Sequence, residues 1–176
     1  MAEARNRRDF TRAEVLELLD YDPATGIFRW KVERNSYGGK IRPGQEAGGI
    51  NPIGYVQIKL FGLYYRAQQI AWLVMTGEWP PSGREVDHIN RNRADNAWAN
   101  LRLATRSQNN MNAGLRSDNK SGQKGVGQRK DTGRWYARVT VDRRVILLGH
   151  FDSFDDAVAA RRAAERQYFG SFAAAA

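Results

Sequence analysis

Short stretches of patterned apolar residues, each ended by a turn, divide this chain into many small elements. Between Thr11 and Leu19, the residues Val15, Leu16, Leu18 and Leu19 lie behind a Thr11 cap with Glu14 in the first turn, which predicts a short amphipathic helix closed by a capping box. Asp22-Pro23-Ala24-Thr25-Gly26 is a turn leading into a strand from Ile27 to Val32. Residues 35 to 54 are rich in glycine and proline, and loops and tight turns around short strands are expected there. Strict alternation from Tyr55 to Leu60, a Phe61-Gly62 turn and a return from Leu63 to Arg66 predict a hairpin, followed by a helix from Ala67 to Met75 that stops at Thr76-Gly77 and Pro80-Pro81.

The pattern then changes. Arg84-Glu85-Val86 is short and extended, Asn90 to Asn100 is turn-rich, Leu101-Arg102-Leu103 is a second short strand, and Thr105 to Met111 can begin a helix. Residues 113–122 are small, polar and aperiodic, as a linker would be. Beyond them, strands are expected over Lys124–Gln128, Arg134–Val141 and Arg144–Gly149, and an Ala-rich helix over Asp155–Arg166. On the central strand Arg134, Tyr136, Arg138 and Thr140 share one face, while Trp135, Ala137, Val139 and Val141 share the other.

Composition narrows the function. The 176 residues carry 28 Lys and Arg against 19 Asp and Glu, a net charge of +9, and the excess is spread along the chain without forming a tail. That balance favours a polyanionic partner held through phosphate contacts. The absence of cysteine excludes disulfides, thiolate nucleophiles and Cys-based zinc sites. Neither a signal-peptide core nor a stretch of membrane-spanning length is present, so the expectation is a cytoplasmic protein with no membrane partner.

The chemistry concentrates between Asp87 and Asn110. Asp87-His88-Ile89-Asn90, Asp95-Asn96, Asn100-Leu101-Arg102 and Ser107-Gln108-Asn109-Asn110 set one of the two histidines among carboxamides and carboxylates. Asp87 and Asn109 offer the hard oxygens that Mg²⁺ prefers, and His88 has the side chain whose ordinary pKa suits proton transfer near neutrality. This donor mixture suits metal-assisted attack on a phosphodiester. Asn90, Asn92, Asp95 and Asn96 are read as turn-shaping residues, the tryptophans as core or rim packing, and Trp98 as a brace for the loop or an approach to DNA. Lys59, Tyr64, Tyr65 and Arg66 border the hairpin, where covering a core is the simpler account and backbone contact the alternative.

Residues 54–112, with these motifs, resemble the HNH endonucleases of the phage and intron-homing branch, and Leu19 to Gly26 with Trp30 is similar to the segment that often precedes the motif. The resemblance implies a ββα-metal domain in which His88 is the general base and Asp87 and Asn109 hold a single divalent ion, Mg²⁺ or alternatively Mn²⁺. In the same reading Asn100 is a catalytic-site residue that orients the His-bearing loop. Residues 122–170 resemble the Apetala-type DNA-binding domain through Lys124-Gly125-Val126, Gly133 to Arg138, Leu148 to Phe151 and the helix that follows. That resemblance implies a three-stranded sheet laid in the major groove, with Lys124, Arg129, Arg134, Arg138 and Arg144 contacting DNA and Gln128, Lys130 and Tyr136 behind them.

The sequence thus describes an α+β protein. An N-terminal segment 1–53 leads into a nuclease domain 54–112, a linker 113–122, a small three-stranded sheet packed on one helix over 123–170, and a tail 171–176. The expected activity is that of a homing-type endonuclease in a phage-infected bacterial cell, acting on double-stranded DNA as a monomer or weak dimer without a small-molecule cofactor, and nicking one strand at a time. A catalytically inactive regulator built on the same two folds is the alternative, with RNA as a less favoured substrate.

Overall fold

The computed structural model describes residues 10–36, 39–112, 114–115, 118–142 and 144–172. The expected tail beyond Phe172, the first nine residues of the N-terminal segment, and Ala113, Arg116 and Ser117 of the expected linker lie outside the described residues.

At the N-terminal end, α1 (Arg12–Leu18) begins with the capping box read from the sequence. The Glu14 backbone N–H donates to the Thr11 hydroxyl oxygen, and the Thr11 N–H donates to the Glu14 carboxylate at 2.8 Å. Next, β1 (Leu19–Tyr21) pairs antiparallel with β2 (Phe28–Trp30), placing Leu19 opposite Trp30 and Tyr21 opposite Phe28. Asp22 holds the intervening turn by accepting from the Ala24 N–H and the Thr25 hydroxyl. The hairpin β3 (Arg34–Ser36) and β4 (Gly39–Ile41) follows, then a three-stranded sheet of β5 (Gly49–Ile50), β6 (Val56–Leu60) and β7 (Leu63–Arg66) in that order. Helix α2 (Ala67–Thr76) ends on Gly77, whose φ of 85° lets its N–H reach the Leu73 carbonyl.

The motif is framed by β8 (Arg84–His88) and β9 (Leu101–Thr105), paired in a two-stranded sheet, with a 3₁₀ turn at Trp98–Asn100 and helix α3 (Arg106–Asn112) after β9. Strand β8 runs two residues beyond the sequence expectation and carries Asp87 and His88 within it. Both are buried, which a polar pair tolerates only when its polar atoms find partners. Val15, Leu19, Ile58, Leu60, Ile70 and Leu73 form the centre of one apolar core with Phe28 and Trp30 beside them. Each such side chain contributes roughly 1.5–3 kcal/mol by leaving water.

The C-terminal elements are β10 (Val126–Gln128), β11 (Trp135–Val141), β12 (Arg144–Phe151) and α4 (Phe154–Phe169), in an antiparallel sheet ordered β10-β11-β12 with α4 packed against β11 and β12. Ala137 and Val139 are buried while Arg138 and Thr140 are exposed, the alternation expected of the central strand. Ser153 caps α4 by accepting from the Asp156 N–H, and the helix extends past the expected Arg166 because Phe169 packs into the core with Val139 and Ala164.

The chain divides into two compact units between Ala104 and Thr105, ahead of the segment read as a linker. Two contacts draw α3 into the second unit: Met111 packs with Val139, and the Lys124 ammonium donates to the carbonyls of Asn110 and Met111 at 2.6 and 3.2 Å. The end of the expected linker is ordered as well. The Ser121 hydroxyl donates to the Val126 carbonyl at 2.7 Å, and the Asn119 side-chain oxygen accepts from the Gly122 N–H.

Candidate active site

The loop from Ile89 to Asn100 owes its shape to its asparagines and aspartates. The Asn90 side-chain oxygen accepts from the Asn92 N–H, that of Asn92 from the Ala94 N–H, and Asp95 from the Ala97 N–H, so each short side chain turns the backbone two residues ahead of it. The Asn90 amide also donates to Asp95 at 2.6 Å, tying the two ends of this run together. Arg91 adopts a φ of 66°, an uncommon conformation for a residue with a Cβ, at the point where its N–H closes a turn onto the His88 carbonyl.

Asn100 closes the loop. Its Oδ1 accepts from the Asn90 N–H at 2.9 Å, its Nδ2 donates to the Asp95 carbonyl at 2.8 Å, and its own carbonyl accepts from the Ile89 N–H. Its place in the geometry is as a strut between the two strands' ends.

His88 is 4% exposed, and its Nε2 lies 3.1 Å from Oδ1 of Asn96, itself buried. The Asn96 Nδ2 donates to the Ala94 carbonyl, which fixes the carboxamide with its oxygen toward the ring. Nε2 therefore carries the proton in the neutral ring, and Nδ1 is the basic nitrogen. Burial pushes the His88 pKa below its ordinary 6.5, against the smaller opposing pulls of Asn96, Asp87 and Asp95, which favours the neutral imidazole. Asp87, 6% exposed, accepts from Nε of Arg102 at 3.1 Å, an ion pair shielded from solvent on both sides.

The N-terminal segment supports this loop from behind. The Tyr21 hydroxyl donates to the Asn96 carbonyl at 2.8 Å, and burial raises its pKa to about 12. The Trp98 N–H donates to the Pro23 carbonyl, and the Trp98 ring tilts against Trp72 at 5.2 Å between centroids, so Trp98 serves the packing role. Gly26 sits so close that a Cβ there would stand 2.2 Å from the backbone of Asn96 and Ala97.

Several of these roles were missed from sequence. By sequence Asn96 is one turn residue among several, yet its side chain orients the catalytic-candidate histidine; Arg102 pairs with Asp87 because its strand lies beside the one carrying that carboxylate. Alternation along β9 was the available signal for Arg102, and nothing local distinguishes Asn96 from the other loop asparagines.

Asn109 lies on α3, within the second unit. Among the described residues no three His, Cys, Asp or Glu side chains gather as a metal-binding group. The residues proposed as DNA contacts differ in how far they are engaged. Arg129 pairs with Asp131, Arg134 pairs with Asp152 at 2.8 Å and reaches the His150 carbonyl, Gln128 donates to the Gly133 carbonyl, and Lys124 holds α3. Arg138, Arg144 and Lys130 are exposed, with Arg138 directed over the Tyr136 ring at 5.8 Å. His150, the second histidine, is exposed on β12 opposite Tyr136.

Residues 65–111 match the family model of the HNH endonucleases, a span running from within β7 to α3. The chain is also 37% identical over 62 residues to Protein 3.8 of Escherichia phage T7, a stretch that takes up 35% of this chain and 51% of that protein. The chain thus matches about half the length of this curated relative. No solved structure matches it significantly. No helix among the described residues is long and apolar enough to cross a membrane.

Proposed function

We propose that this chain is a phage-type DNA endonuclease that hydrolyses a phosphodiester bond with His88 as its general base. The observation that carries the reading is the placement of His88 inside an HNH-matching segment: a buried imidazole whose Nε2 faces the side-chain oxygen of Asn96, which makes Nδ1 the basic nitrogen. Nδ1 would take the proton of the attacking water while the Asn100 strut holds the backbone on either side of the loop.

The donor chemistry fits a hard divalent ion. Asp87 would supply carboxylate oxygens to the ion and Asn109 is the second ligand that the motif resemblance implies, and Mg²⁺ is commonly held by one or two protein oxygens with water and substrate phosphate completing its shell. When bound, the ion would supply electrostatic stabilisation of charge building on the phosphate and leaving oxygen. Arg102 orients the Asp87 carboxylate within the buried sheet through their ion pair. Sequence recognition falls in this reading to the second unit, as an Apetala-type sheet using Arg138, Arg144 and Lys130, with Lys124, Arg129, Arg134, Gln128 and Tyr136 in supporting positions. Homing-type action in an infected cell and nicking of one strand per active site belong to the same proposal.

Incubation of supercoiled plasmid with the full chain and Mg²⁺ or Mn²⁺ tests it. Wild-type protein is expected to produce nicked circles, and His88→Ala to abolish nicking while still retarding duplex DNA. A wild-type protein that binds DNA but never cuts it with either ion would instead be a regulator.

A further inference from the structure

Beside His88 stands a group of residues that the cleavage chemistry leaves unused. The Tyr55 ring lies 6.0 Å from the His88 ring between centroids, and two guanidinium groups sit over that tyrosine, Arg66 at 4.2 Å and Arg93 at 4.9 Å from its centroid. They come from distant parts of the chain: Arg66 is the last residue of β7, paired with Gln57, and Arg93 lies in the motif loop. Arg93 spends one donor on the Ile53 carbonyl at 2.8 Å, which anchors it and leaves most of its five N–H groups for other partners.

This arrangement is electrostatically incomplete. Both arginines are exposed, and among the described residues neither pairs with a carboxylate, in contrast to Arg102, Arg129, Arg134 and Arg161. Gathering two like charges on one ring costs Coulomb energy that the cation–π attraction at exposed contacts only partly offsets. An anion bridging the two forks relieves the repulsion, and guanidinium forks match phosphate geometry in a way that ammonium groups do not. The stacking also restricts both side chains before any ligand arrives, which reduces the entropy lost on binding.

We propose that Arg66 and Arg93, racked on the Tyr55 ring, form a clamp for a backbone phosphate of the DNA strand delivered to His88. The proposal rests on the reading of His88 as the cleavage residue for its location, and on the cation cluster for its chemistry. A clamp at this place would register the strand so that the scissile phosphate, and not a neighbour, meets Nδ1.

Salt dependence of duplex binding by the full chain, measured with EDTA so that no strand is cut, tests the clamp. The probe is a short random-sequence DNA duplex, and the slope of log affinity against log salt counts the phosphates neutralised, at about 0.9 per contact. The Arg66→Gln/Arg93→Gln variant is expected to lower the magnitude of that slope by about one, the single phosphate that the two forks share. Arg12→Gln/Arg42→Gln, which removes the same charge from elsewhere in the first unit, is expected to lower it by less than half as much. If the double variant fails to melt cooperatively, each single substitution should lower the slope by about half of that. Equal slopes for the clamp and control variants, or no duplex binding by wild-type protein, would overturn the clamp. A protein that never nicks plasmid yet shows the slope change retains the clamp and loses the nuclease reading; one that nicks while its slope ignores both arginines does the reverse.

Discussion

Burial takes the His88 ring out of water, and one carboxamide supplies a replacement partner: Oδ1 of Asn96 accepts the Nε2 proton at 3.1 Å, while Nδ2 of the same residue is held by the Ala94 carbonyl. Asn96→Ala leaves a buried N–H without an acceptor, a loss of roughly 1–3 kcal/mol, and removes what selects the tautomer. The variant should therefore melt at lower temperature and nick plasmid more slowly even where it is fully folded, measured by thermal unfolding beside the plasmid assay. The protonation of His88 has a direction too. Its folded pKa lies below the ordinary 6.5, mainly through burial, so between those values the unfolded chain binds the extra proton. Stability contributed by the neutral ring is complete above 6.5 and falls as the pH drops through that value towards the folded one. Melting temperatures followed downward from pH 7 should decline for wild type more steeply than for His88→Gln; parallel declines would assign acid sensitivity to other groups.

At the scale of elements, the loop's position depends on a turn far away in sequence. The β1–β2 turn brings Gly26 against Asn96 and Ala97 at a φ of 75°, and Tyr21 and Pro23 bond to the same loop. Gly26→Ala adds both a backbone penalty of about 1 kcal/mol and a Cβ only 2.2 Å from backbone atoms that have no flexible end to move. It is expected to destabilise the first unit and suppress nicking together, whereas Gly44→Ala, also at positive φ but facing open space, should cost only the backbone penalty. Comparing the two melting temperatures checks this. The contrast also marks what was legible in the sequence. Local signals were enough for the Thr11 capping box, the β6–β7 hairpin, the Gly77 stop and the alternating faces of β11, because each is set by residues within a few positions of one another. Asp87, His88 and Asn100 stood out through motif spacing. The Asn96 contact, the Arg102 ion pair and the Tyr55 cluster depend on strand pairing and on the packing of β1–β2, neither of which local periodicity contains. The same limit applies to α3, whose polar sequence fits the motif but whose Met111 packs with Val139.

Across the whole molecule, charge is divided unequally. Residues 105–176 hold 13 Lys and Arg against 7 Asp and Glu, a net +6 of the chain's +9, although they make up the shorter unit. Under the proposed function both units contact one duplex, the first through Arg66 and Arg93 and the second through exposed arginines such as Arg138 and Arg144. Counterion release then makes a quantitative demand. Phosphate contacts made by separate, non-touching residues contribute independently to the salt slope, so Arg138→Gln/Arg144→Gln should lower it by about two, and the fourfold variant, which also loses the one phosphate shared by Arg66 and Arg93, by about three. If the second unit alone holds DNA in the bound state that the assay detects, adding the first-unit changes to Arg138→Gln/Arg144→Gln will leave the slope where the second-unit pair put it. The converse result, a slope responsive only to Arg66 and Arg93, would leave target choice to contacts around His88 and remove the reason for assigning sequence recognition to the three-stranded sheet.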